Sequence, residues 1–92
     1  MSQVVQEGYL YTNINTATTT VVKTGGGFLG GFFVASSTSG TVKIFDNTAA
    51  SGAIIINTTA VNGGAYYPTP FQYRVGLTVV TTGTVDLTVA WI

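Results

Sequence analysis

The stretch Gly40–Val61, GTVKIFDNTAASGAIIINTTAV, decides how the rest of the chain is read. Two runs rich in β-branched residues, Thr41–Thr48 and Ala53–Val61, flank a short Ala/Ser/Gly turn, which is the pattern of a β-hairpin. In the first run Val42 and Ile44 alternate with Lys43 and Phe45. In the second, Ile54-Ile55-Ile56 has no polar face. Such a run reads as a strand covered on both sides.

The same grammar extends outward. Toward the N-terminus, Phe28–Ser37 (FLGGFFVASS) is apolar on both faces, and its Gly30-Gly31 pair predicts a bulge or a close backbone approach. Gly25-Gly26-Gly27 separates it from a Thr/Val strand over Ala17–Thr24. Before that, Tyr9, Tyr11 and Asn13 share one face of a strand and Leu10, Thr12 and Ile14 the other. Residues 1–8 read as an N-terminal arm carrying the apolar pair Val4-Val5. Toward the C-terminus, AYYPTP over 65–70 reads as an extended loop because of Pro68 and Pro70. Phe71–Val80 then alternates Phe71, Tyr73, Val75, Leu77 and Val79 against polar or small residues. Thr81-Thr82-Gly83 turns it into Thr84–Ile92, where Val85, Leu87, Val89 and Trp91 alternate again. No window sustains the i, i+3, i+4, i+7 pattern of a helix. The expected fold is all-β: one small antiparallel β-sandwich or jelly-roll-like domain of about seven or eight strands, over residues 1–92.

Composition narrows what such a domain does. The chain has 92 residues and no Cys or His, so disulfides and the usual zinc sites are both excluded. A core this small is marginal, and oligomerisation is the remedy left. Charged residues are 7% of the chain, against about 25% in ordinary domains. Interface centres are depleted of charge, so that scarcity points to assembly. Lys23, Lys43 and Arg74 are the whole supply of cations, too few for an electrostatic grip on nucleic acid or a membrane surface. The N-terminal MSQVVQEGYLYTN lacks the basic and apolar regions of a signal peptide, and no stretch approaches the ~20 apolar residues of a membrane-crossing helix. The expectation is a protein made in a cytoplasm.

Chemistry-bearing patterns are sparse. Gly25, Gly27 and Gly30 match G-x-G-x-x-G, but that motif needs a helix after it, and here Phe32-Phe33-Val34 continues as strand. Asn57-Thr58-Thr59 is a glycosylation sequon that reads as the polar end of a strand. Glu7, Asp46 and Asp86 are far apart and have no His or Cys partner, and Ser36, Ser37, Ser39 and Ser51 have no base to activate them. Asp46-Asn47-Thr48 offers some of the oxygens calcium needs but reads better as a turn cap. No catalytic, cofactor or metal residue is assigned, and no enzyme is expected. Tyr66, Tyr67 and Phe71 sit at a loop entry, where they read equally as an aromatic anchor for a protein or sugar and as a plug for one end of the sandwich.

Four segments, TVVKTGGGFLGGFFV, SGTVKIFDNTAASGAIIINTT, YYPTPFQYRVGLTVV and GTVDLTVAWI, resemble a group of small phage-encoded proteins over roughly Val21–Ile92. In that group a V-K-T-G-G-G-x-L-x-G segment precedes S-G-T-V-K-I-x-D-N-T, then Y-P and G-L, and finally G-T-x-D-L-T-V. Its members are similar to capsid decoration (cement) proteins or the capsid-proximal parts of head fibres. The resemblance implies an all-β sandwich, often a homotrimer, seated on the major capsid protein at the outer surface of a phage head. The competing expectation is a receptor- or glycan-binding fibre domain. The residues expected to form the oligomer or capsid interface are Val4, Val5, Phe33, Ile55, Tyr66, Tyr67 and Phe71.

Overall fold

The computed structural model describes residues 8–92. They form six antiparallel strands: β1 (Leu10–Ile14), β2 (Thr19–Thr24), β3 (Gly27–Phe45), β4 (Ile54–Ala60), β5 (Ala65–Tyr73) and β6 (Gly76–Trp91). All belong to one hydrogen-bonded sheet, not to two separate ones. β3 and β6 pair along their whole lengths, from Leu29↔Trp91 to Phe45↔Thr78. The outer edge of β6 takes β1 near its C-terminus and β2 near its N-terminus. The outer edge of β3 takes β5 and then β4.

β3 is too long to be straight. Nineteen extended residues would span roughly 60 Å, yet the longest dimension of the chain is 46 Å. Its two ends also come together. Gly27 pairs with Tyr73, while the Arg74 N–H donates to Asp46, the residue after the last of β3. The strand therefore doubles back, and β6 follows it.

The bend lies where local sequence signals turns. Register shifts fall between Val34 and Ser36 and between Thr38 and Thr41. Ser39 has φ 55°, and the facing Gly83 has φ 75°. A Cβ on Gly83 would run into the Ser39 carbonyl oxygen, so only glycine fits this crossing. The Ser37 hydroxyl accepts the Gly40 N–H at 3.1 Å. The two expected turns at 37–40 and 81–83 thus sit opposite each other and bend two continuous strands. This is why six strands appear where seven or eight are expected.

Two further boundaries differ from the sequence reading. AYYPTP is the first part of β5, an edge strand that tolerates the missing proline N–H groups. The alternation over Phe71–Val80 is interrupted at Arg74-Val75, a turn whose N–H groups are held by the distant Asp46 carboxylate.

The core lies on one face of the bent sheet. Leu77, Val79, Val85, Leu87 and Val89 line it along β6, and Phe32, Val34, Val42 and Ile44 line it along β3. Ile14, Leu29, Val61 and Tyr73 join the same cluster, which draws on both halves of the bend. Buried hydroxyls are mostly paired: Thr78 donates to the Asn47 carbonyl at 2.7 Å and Thr81 to that of Thr16 at 2.7 Å. Thr69 Oγ1 is the exception, with no partner among the described residues.

Candidate interaction surface

The outer face of the β1–β6–β3–β5 half carries the densest exposed aromatic group. Pairing fixes two rows across its four strands. One reads Asn13–Thr88–Phe33–Tyr66 and the next Tyr11–Ala90–Gly31–Pro68. Phe33 (45% exposed) and Tyr66 (53%) are direct cross-strand neighbours, and Tyr11 at 77% is the most exposed large apolar residue among those described. Between them the floor is low because its residues are small. A Cβ on Gly30 would meet the Tyr9 ring at 2.9 Å, and one on Gly31 would meet the Tyr66 hydroxyl at 2.5 Å. Tyr66 donates that hydroxyl to the Gly30 carbonyl at 3.2 Å. The expected bulge is present as a register shift between Leu29 and Gly31. Its effect is to lay two tyrosines against backbone.

Charge is nearly absent from this face. Asp86 accepts a bond from Asn13 Nδ2 at 2.9 Å, and the same amide donates to the Leu87 carbonyl at 3.0 Å. Lys23 and Lys43 lie elsewhere, with their ammonium groups 6.0 Å and 5.1 Å from the Tyr73 and Phe45 rings. An apolar surface whose neighbouring carboxylate, Asp86, is taken up by Asn13 offers mainly dispersion and hydrophobic contact.

The residues singled out in sequence take different roles. Phe33 and Tyr66 belong to this face. Tyr67 does not: its ring stacks on Phe32 at 5.1 Å, and its hydroxyl accepts the Asn62 N–H at 2.8 Å. It is a packing residue. Phe71, 48% exposed, pairs with Leu29 at the open end of an inner row. Ile55 packs against the core, and Ile54, 48% exposed, is the open part of its run. Val4 and Val5 lie outside the described residues. Spacing places Tyr9 and Tyr11 on one strand face, but nothing local in the sequence joins them to Phe33 and Tyr66. The link is the Gly30-Gly31 floor beneath them.

The other polar groups serve the fold. Asp46 accepts N–H bonds from Arg74, Val75 and Gly76. Burial pushes its pKa up, but these bonds and the Arg74 charge outweigh that and hold it below the ordinary aspartate value. Asn47 donates to the Ser51 carbonyl at 2.8 Å and accepts the Thr48 N–H at 2.8 Å, capping the β3–β4 loop. Gly25 precedes strand β3 while Gly27 and Gly30 lie within it, and no helix follows among the described residues. Among the described residues no group of three or more acidic side chains comes together to hold a metal ion. No helix in them is long and apolar enough to cross a membrane.

Fold and surface together define a small all-β protein with an exposed aromatic face. No family model, no curated protein sequence and no solved structure matches the chain.

Proposed function

We propose that this protein is a virion structural protein: a capsid decoration (cement) protein that seats its aromatic face on the outer surface of a phage head. The observation that carries this reading is the exposed aromatic array of Tyr9, Tyr11, Phe33 and Tyr66 over a glycine floor, on a face nearly free of charge. A chain with so few charged groups gains most by covering such a face with protein. The bent sheet, with one core drawn from both halves, is read as a jelly-roll-like β-sandwich. Its function is mechanical. Each copy bound across capsid subunits adds interface to the shell, and several linked copies add it multivalently.

The test is cryo-electron microscopy of the particle made from the genome that encodes the chain, with binding of purified protein to heads that lack it. Density on the outer head, with the aromatic face toward the shell, is the expected result. Phe33→Ser and Tyr66→Ser should each weaken head binding by about tenfold or more, with the β-sheet circular dichroism unchanged. Density at a fibre tip, or glycan binding lost on Tyr11→Ala, would replace this reading with the receptor-binding one.

A further inference from the structure

Among the described residues the sheet has four outer strands, and they are not equally protected against pairing with another chain. β5 carries Pro68 and Pro70, which present no N–H, and a register shift at Leu29/Gly31. β2 is shifted between Val21 and Lys23 and carries the Lys23 charge. β4 is shifted twice, and Asn57 Oδ1 accepts the N–H of Thr58 within that strand. Prolines, charges and bulges are the devices that blunt a sheet edge. β1 has none of them. LYTNI pairs residue by residue with β6, from Leu10↔Trp91 to Ile14↔Leu87, without a shift. It contains no proline, glycine or charge, and Leu10 and Tyr11 beside it are 56% and 77% exposed.

We propose that β1 is a homotypic docking edge, pairing antiparallel with β1 of a second copy of this chain across a two-fold axis centred on Thr12. Two features select a second copy. Self-pairing about a two-fold places any charge near its own like; β1 itself carries none, and the Asp86 carboxylate on β6 is taken up by Asn13 Nδ2 at 2.9 Å. The register is also self-complementary. Centring on Thr12 sets Leu10 beside the partner's Ile14 on the core side and Tyr11 beside the partner's Asn13 on the outer side. Among the described residues Leu10 ends the inner row Leu10–Trp91–Leu29–Phe71 and is half exposed. A continued sheet covers it.

The axis stands perpendicular to the sheet, so both aromatic faces point the same way. The dimer presents Tyr9, Tyr11, Phe33 and Tyr66 twice on one continuous surface. This pairing rests on self-association alone and needs no capsid, so it can fail while head binding survives, and the reverse.

The absence of cysteine makes the test direct. Thr12→Cys under a mild oxidant should give a covalent dimer, while Val75→Cys, an exposed position on the β5–β6 turn, should not. In sedimentation equilibrium the wild type should be a dimer at about 100 µM, and Tyr11→Lys should weaken association at least tenfold while leaving the circular dichroism spectrum intact. A wild-type monomer at that concentration overturns the proposal. So does a mass of three copies with Thr12→Cys not cross-linking, the result for the three-fold assembly that the resemblance implies. A monomer that dimerises only after deletion of residues 1–7 also overturns it, in favour of the chain's own N-terminal residues on this edge.

Discussion

Asp46 follows the last residue of β3, and its carboxylate takes N–H bonds from residues 28, 29 and 30 positions further along. The Arg74-Val75 turn leaves those donors without strand partners, so the carboxylate takes the place of a missing strand. Asp46→Ala should cost about 1–3 kcal/mol in urea denaturation. The pH dependence has a definite sign. Because the folded pKa is depressed, this contribution is complete above the unfolded value near 4 and is lost as pH falls through the folded value. Wild-type stability should therefore fall below about pH 4, and Asp46→Asn should flatten that part of the profile. A variant with an unchanged acid limb would remove Asp46 from the account. Thr69 is the opposite case, since its buried hydroxyl has no hydrogen-bond partner among the described residues. Thr69→Val should raise stability by up to about 1 kcal/mol, read as an increase in the urea midpoint. A loss of stability would show that the hydroxyl is satisfied by solvent.

At the level of elements, the corner at Ser39 and Gly83 determines whether β3 and β6 each act as one strand or two. Gly83→Ala puts a methyl into the Ser39 carbonyl and into a positive-φ backbone, so it should cost about 2 kcal/mol or more or prevent folding. Gly64, also at positive φ but with open space around it, is the control. Gly64→Ala should cost about 1 kcal/mol, the backbone part alone. Equal losses at the two sites would mean the crossing is not tight. This corner also marks the limit of what the sequence reveals. Alternation along Val85–Val89 and Val42–Ile44 locates the strands and their buried faces correctly. Ser-Gly and Thr-Gly signals locate bends correctly, but a bend that ends a strand and one that folds it read alike. Telling them apart requires knowing that 37–40 faces 81–83. The same holds for the β5–β6 turn, fixed by a carboxylate some thirty residues earlier. In the aromatic surface, residue type alone does not tell which of Tyr66 and Tyr67 lies open; Tyr67 packs because Phe32 is its cross-strand neighbour.

For the molecule as a whole, the scarcity of charge dictates how it associates with anything. With 3 basic and 3 acidic residues, it carries no net charge to steer a partner or to repel a copy. Long-range electrostatics are screened beyond roughly 8 Å at physiological salt, and here there is little to screen. Association through β1 or through the aromatic face should then be driven by apolar burial and strand pairing. The dissociation constant of the wild-type assembly should change less than about twofold between 50 and 500 mM sodium chloride. Sulfate at the same ionic strength should tighten it, because excluded salts strengthen apolar burial. Binding to a capsid should follow the same rule unless the shell supplies charges that this face cannot answer. Sedimentation equilibrium across a salt series is the measurement, and steep weakening by sodium chloride would mean that charged residues contact the partner. Lys23, Lys43, Arg74 and Asp86 would then have to be sought in the interface in place of Tyr11 and Leu10.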